Sequence, residues 1–322
     1  ADGWLGIAMP EQVGGAGLGI TEAAIMMEAV AESGGGMAAA SAIHGPVFSL
    51  QPIALFGTPE QQQRMIPPVL SGEHRICFAV TEPNTGLNAT KLKTRAERAG
   101  DKYILSGQKV WISTAQVAHK TLILARTTAV EDCTKPTLGL SLFYTDLDRR
   151  YVQVTEIEKM GRKAVDSNQL FIDGLPIPVE DRIGEEGRGF EYILHGMNPE
   201  RILIAGEAIG LGRAALARAV SYAGERVVFD RPIGQNQAIQ HPLAQSWMEL
   251  EGAEMMAMRA AWKYDHGLPC GADANAAKYM GAEAGFSGVV DLIAMKALVT
   301  ADGKVTETEI PADLMETATS HR

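Results

Sequence analysis

Between Arg75 and Gly184 the chain carries short runs rich in β-branched, aliphatic and aromatic residues, separated by turn residues. The runs begin at Ile76, Tyr103, Lys109, Thr121, Leu140, Tyr151 and Gln169; Ala99-Gly100-Asp101 and Asp173-Gly174 are among the punctuators. No stretch within this region is long and periodic enough for a helix. A parallel sheet needs a helical crossover between its strands, so these runs are expected to form an antiparallel barrel or sandwich.

Helical periodicity lies on both sides. Residues Ile20 to about Glu32 place apolar side chains on one helical face, and Gly34-Gly35-Gly36 is expected to end that helix. A second start lies at Thr58-Pro59-Glu60-Gln61, where Thr58 is the expected N-cap, Pro59 takes the first position and Gln61 completes a capping box; Pro67-Pro68 closes it. After Gly184 the period returns. Asn198 is read as the N-cap and Pro199 as the first turn of a helix reaching about Tyr222. A further helix runs from Gln237 to about Tyr264, with Ile239, Leu243, Trp247, Leu250 and Met256 on one face.

The expected architecture is an α+β multidomain chain: a helical domain over 1–74, a middle β-barrel over 75–184, a helical bundle over 185–286 and a divergent tail over 287–322. The tail contains no Phe, Trp or Tyr and is expected to be loosely attached.

The 322 residues carry 29 Lys+Arg against 39 Asp+Glu, a net charge of −10, which argues against a general binder of nucleic acid or anionic membranes. Three cysteines, Cys77, Cys133 and Cys270, show no metal-ligand spacing, so neither a structural metal nor a disulfide framework is expected. No apolar run approaches the length of a membrane span, and the first residues lack the basic start of a signal peptide. A cytoplasmic location is the expectation. The chain opens without Met in already patterned sequence, so its first domain is expected to be incomplete.

Gly210-Leu211-Gly212-Arg213-Ala214-Ala215 formally matches the GxGxxA dinucleotide fingerprint, but it falls inside a helix rather than between a strand and a helix start. These glycines are read as sites of close helix packing. More informative are Phe78-Ala79-Val80-Thr81-Glu82-Pro83-Asn84-Thr85-Gly86 and the segment Tyr103 to Ser113, which contains Gly107-Gln108-Lys109-Val110-Trp111-Ile112-Ser113. A strand running into a Pro/Gly turn exposes backbone N–H groups and a hydroxyl for the polar edge of a heterocycle, and a tryptophan offers a stacking face. Either piece alone also suits a barrel core beside a turn.

Together the two segments closely resemble the flavin-binding middle domain of the acyl-CoA dehydrogenases. Ile157 to Arg162, Phe171 to Gly174, Ile183 to Phe190, Glu200-Arg201 and Glu225 to Phe229 agree in the same order. The resemblance covers about Gly3 to Phe286. It implies FAD as cofactor, with Phe78, Val80 and Thr81 at the isoalloxazine, Thr81 bonding its pyrimidine edge, and Trp111, Ile112 and Ser113 against the ring. Arg226, Phe229 and Gln237 resemble residues that hold the pyrophosphate and adenine across a subunit interface; a guanidinium presents forked donors to phosphate oxygens. Leu87, Asn198 and Arg201 match substrate-binding positions, the latter two facing the CoA portion.

The implied reaction is α,β-dehydrogenation of an acyl-CoA thioester to the trans-2-enoyl-CoA, as in fatty-acid β-oxidation. Electrons would pass to an electron-transferring flavoprotein, and the chain would work as a homo- or hetero-oligomer, a dimer or tetramer. Glu200, immediately before Arg201, matches the catalytic base of one branch of the family. The same position admits a plainer role, since a glutamate in a first helical turn is stabilised by the helix dipole. Three departures stand out: Leu87 replaces a usual Ser, Asn88 a usual Asp, and Asp230 a usual Gly. Asp230, Leu87 and the divergent tail keep open a non-catalytic subunit or fragment, and a flavin oxidase relative is a third reading.

Overall fold

A computed structural model of the chain describes residues 3–283, 288–291, 296–301 and 304–309. The first helix, α1 (Ile20–Val30), has its opening N–H groups met by a side chain distant in sequence. Ile20 N and Thr21 N donate to the two Asp265 oxygens at 2.7 and 3.0 Å. The glycines end this helix as expected, with Gly34 and Gly36 both leaving helical conformation at positive φ. A wide turn over Ala31–Gly35, with Gly34 at φ +103°, leads straight into α2 (Gly36–Ser49), followed by α3 (Gln51–Phe56). By length and composition the stretch Ile20–Phe56 would pass as a membrane span, but 56% of its most apolar window is buried within the protein. The capping box at α4 (Pro59–Met65) forms as expected: Gln61 N donates to Thr58 Oγ1 at 3.2 Å, and Thr58 N to Gln61 Oε1 at 2.9 Å. Pro67-Pro68 opens the short turn α5 (Pro67–Leu70).

The strands follow as β1 (Ile76–Ala79), β2 (Arg95–Ala99), β3 (Lys102–Ser113), β4 (Lys120–Arg126), β5 (Leu140–Asp146), β6 (Val152–Glu156), β7 (Ser167–Pro178) and β8 (Arg182–Ile183). They build one eight-stranded sheet in the order β6-β7-β3-β2-β4-β5-β8, with β1 beside β4. Most pairs are antiparallel, but β1 and β2 both run parallel to β4. The β2–β3 hairpin intervenes between β1 and β4, so the chain re-enters in the same direction. Strands β4 and β5 are apolar on both faces because both are covered. Leu122, Leu124 and Leu142 pack with Ile53 and Ile193 on the helical side, while Ile123, Ala125 and Phe143 pack with Tyr103 and Leu105 on the other.

Two expected breaks lie inside strands. Tyr103 to Gly107 and Lys109 to Ser113 form the single strand β3, and Asp173-Gly174 is a bulge within β7 rather than a turn. Between Leu105 and Gly107 the register with β7 shifts by one residue, and Gly174 takes φ +68° to absorb it.

Beyond the sheet, α6 (Gly189–Glu225) runs for 37 residues. Asn198 is therefore not its N-cap and Pro199 not its first turn; Phe190 to Met197 are helical too, and Arg188 precedes the first turn. Pro199 survives inside the helix because the carbonyl it cannot bond has another donor. Pro199 lacks the N–H that would reach His195 O, and the Tyr264 hydroxyl donates to that oxygen at 2.8 Å. Tyr264→Phe is expected to lower the unfolding free energy by about 1 kcal/mol, read from the urea midpoint, because it removes this substitute donor from that carbonyl.

A tight hairpin of β9 (Val227–Val228) and β10 (Arg231–Pro232) leads to α7 (Gln237–Asp265) and α8 (Gly271–Glu283). The glycines of the GxGxxA match do serve packing: a Cβ on Gly210 would lie 2.2 Å from Glu28 O of α1. The expected face of α7 is buried only in its second half, at Ala253, Ala257, Ala260 and Ala261, and Trp247 is 54% exposed. Residues 283–322 form a separate unit. Within it β11 (Gly288–Asp291), β12 (Lys296–Ala301) and β13 (Lys304–Glu309) pair antiparallel in sequence order. The remainder of the tail, expected to be loosely attached, falls outside the described residues.

Candidate active site

The end of β1 and the second half of β3 form one wall of a cavity of about 1070 Å³. Val110 N donates to Thr81 O at 2.9 Å, which holds the segment after β1 beside β3. A second bulge lies in β3: Lys109 pairs with Leu170 and Ile112 with Asn168, so β3 carries one extra residue there. Trp111 absorbs it with φ +62°, a conformation costly for an aromatic residue, and is left 59% exposed on the cavity wall. Ile112 stays buried, and its carbonyl accepts from Asn168 Nδ2 at 2.9 Å.

Behind this wall Lys109 is fully buried. Its ammonium donates to Val80 O at 3.0 Å, Glu82 Oε1 at 3.0 Å and Leu124 O at 2.8 Å, which uses all three protons. Burial pushes Lys109 down to about 8, against the opposing pull of Glu82. Burial also acts on Glu82, but Lys109 and the hydrogen bonds from Thr94 and Lys93 outweigh it and hold this carboxyl below its ordinary range. Glu82 accepts from Lys93 N at 2.7 Å and Thr94 N at 3.0 Å. The pair therefore fixes the carbonyl of Val80, next to Thr81.

Phe78, Val80, Thr81, Leu87, Trp111, Ile112, Ser113, Glu200 and Arg201 all line this one cavity. Glu200 lies about three turns inside α6, so the helix-dipole role of a first-turn glutamate does not apply. Its Oε1 lies 3.5 Å from Lys278 Nζ of α8. Arg201 Nη1 donates to Asn198 Oδ1 at 3.0 Å, and Asn198 itself is outside the cavity lining. Leu87 is fully exposed at the rim, and Asn88 turns its side-chain oxygen to Thr90 N at 3.1 Å. Arg226, Phe229 and Gln237 are not brought to the cavity; they stand exposed on the β9–β10 hairpin and the start of α7, with Phe229 94% exposed. Among the described residues no cluster of metal-ligating side chains forms.

The cavity fits a flavin. It offers a flat exposed tryptophan with Thr81 and Ser113, both hydroxyl-bearing, in the same lining. It is large enough for a ring system and an acyl chain together. Sequence reasoning gave no role to Lys109, Glu82, Lys278, Ser41, His44 or Glu207. Lys109 carried a legible signal, as a charged residue opening an otherwise apolar strand-like run; the others stand at or behind the cavity only through contacts distant in sequence.

Three family models match in succession: Acyl-CoA dehydrogenase, N-terminal domain, over residues 1–73; middle domain, over 77–175; and C-terminal domain, over 187–302. The chain is 39% identical over 287 residues to acyl-CoA dehydrogenase FadE12 of Mycobacterium tuberculosis, covering 88% of this chain and 72% of that protein. A chain from a structure of the electron transferring flavoprotein of Acidaminococcus fermentans superposes with a TM-score of 0.81 at 30% identity, covering 88% of this chain and 73% of that one. The FAD complex of PigA superposes at 0.82 and 25% identity, covering 88% and 73%. With a helical first part, a sheet in the middle and a helical third part matched in order over nearly nine-tenths of its length, this chain belongs to the acyl-CoA dehydrogenase family.

Proposed function

We propose that this chain dehydrogenates an acyl-CoA thioester across its α and β carbons, with Glu200 as the base. The observation that carries this reading is that the Glu200 carboxylate opens into the same cavity as Thr81, Trp111 and Ser113. FAD held there by Thr81, Trp111 and Ser113 would supply the hydride acceptor for the β carbon. The chain's own residues do the rest: Glu200 takes the α proton as the carbon–carbon double bond forms, Arg201 carries a positive charge at the same wall for the CoA portion, and Trp111 with Ile112 keeps water from one face.

The exposed Arg226, Phe229 and Gln237 support a role in holding the distal part of FAD where a second subunit approaches, since this hairpin and α7 also expose Val227, Trp247 and Met248. Similarity to a chain from a structure of an electron transferring flavoprotein supports such a protein as electron acceptor. Three free thiols suit a reducing, cytoplasmic location. The divisions 1–74, 75–184 and 185–286 are the domains of this proposal.

The test is the visible spectrum of the FAD-loaded chain during anaerobic addition of acyl-CoA thioesters of graded length. Bleaching by one length class is the expected result. A chain that takes up no FAD overturns the reading in favour of a non-catalytic subunit, and rapid reoxidation of the bleached flavin in air points to an oxidase.

A further inference from the structure

The same cavity has a polar point that the proposed reaction does not use. Glu207 of α6 is fully buried, and both of its oxygens are taken by side chains of α2. Ser41 Oγ donates to Oε2 at 2.8 Å, and His44 Nδ1 lies 2.5 Å from Oε1. Glu207 is not in the cavity lining, but Ser41 and His44 are. The carboxylate thus stands behind the other two and orients them.

A carboxylate can only accept, so His44 places its Nδ1 proton toward Glu207. The other ring nitrogen, Nε2, has no protein partner among the described residues, and it is not a fully buried unsatisfied atom either. His44 lines the cavity, which is where that nitrogen can find a partner. Phe48 lies against the ring and Phe78 against Phe48, and Ile43 and Ile204 share the cavity lining with His44. His44 is only 8% exposed and meets Phe48 edge-on at 5.3 Å, which limits ring reorientation. A brace between α2 and α6 alone would not require a buried carboxylate, whose desolvation is costly, nor a histidine with one ring nitrogen left unpaired at a cavity wall.

Glu200 and Glu207 are seven residues apart on α6, about two turns and roughly 10 Å along the axis, with Ile204 between them on the cavity wall. An acyl chain whose α carbon is at Glu200 can therefore run toward His44 with its distal part. A plain alkyl chain would leave Nε2 dry and unpaired, at a penalty that favours substrates able to bond it.

We infer that His44, oriented by Glu207 and Ser41, recognises a hydroxyl group on the distal part of the acyl chain. A hydroxyl both donates and accepts, so it pairs with Nε2 whether or not that nitrogen carries a proton. This assignment rests on the acyl-CoA reading above and names the substrate class within it.

The test compares hexanoyl-, octanoyl- and decanoyl-CoA, each with its analogue hydroxylated on the penultimate carbon, on the FAD-loaded full chain. Two readouts are taken: equilibrium binding by calorimetry and the rate of anaerobic flavin reduction. For at least one length the hydroxylated member is expected to bind about tenfold tighter and to show a correspondingly higher kcat/KM. His44→Phe and Glu207→Gln are each expected to bring the two members of that pair within about twofold. Should Glu207→Gln fold poorly, His44→Phe carries the test, since a phenyl ring fills the same space. Equal binding of both members at every length by the unmodified chain, or a preference that survives His44→Phe, overturns the assignment and leaves the dehydrogenase reading intact. Discrimination in binding without flavin reduction by any thioester would instead uphold the assignment and overturn Glu200-centred catalysis.

Discussion

A Glu200→Gln chain is expected to reduce its flavin with acyl-CoA more slowly by a factor of about 10² to 10⁴, while its affinity for the thioester changes little. That range is what a positioned general base contributes to proton abstraction from carbon. The substitution is nearly isosteric. Gln keeps an oxygen for Lys278, which lies 3.5 Å from the carboxylate, so the α6–α8 contact need not be lost with the base. The measurement is single-turnover flavin bleaching at saturating thioester, with binding taken separately by calorimetry. A reduction rate within about threefold of the unmodified chain would remove Glu200 from the role of base.

The second large effect concerns stability. Lys109→Met is expected to cost about 3–5 kcal/mol, because it removes the buried cation and leaves the Glu82 carboxylate without its counter-charge. The double variant Lys109→Met with Glu82→Gln should recover much of that loss, since it buries no net charge. Because Lys109 also donates to Val80 O, the single variant should retain FAD poorly even when folded, which the ratio of flavin to protein absorbance measures.

The pH dependence has a definite sign. Glu82 is held below the ordinary carboxylate range when folded, so its contribution is present above the unfolded value of about 4.3 and is lost as pH falls through the lower folded value. Lys109 runs the other way from a usual lysine. Its folded value near 8 lies below the unfolded value of about 10.4, so between the two the unfolded chain binds more protons and this group's contribution to stability rises with pH. Chemical denaturation across both windows should show these slopes in the parent chain and flatter ones in the double variant. Unchanged slopes would mean that other groups dominate both limbs.

Some of this protein was determined by sequence alone. The order of helices, strands and helices follows from local periodicity, and the Thr58–Gln61 capping box is a matter of neighbouring residues bonding neighbouring backbone. The small residues of α6 could be assigned to close packing because a glycine inside a helix needs some such reason, and Gly210 has one in Glu28 O of α1. The motif around Thr81 and Trp111 was legible as a possible ring-binding wall, and the structure places Phe78, Val80, Thr81, Trp111, Ile112, Ser113 and Glu200 around one cavity.

Other features were decided only by the tertiary structure. Pro199 marks a helix start in nearly any local reading. It lies inside α6 here because Tyr264, distant in sequence, supplies the hydrogen bond that proline forgoes. Trp111 faces the cavity because β3 has one residue more than β7 at that point, a fact about two strands rather than one. Ser41, His44 and Glu207 read separately as ordinary helix residues, and they form a site only because α2 packs on α6 across more than 160 residues of chain. Local propensities act over a few residues and so are written in the sequence. Which buried charge or strained residue is tolerated depends on partners that only packing supplies.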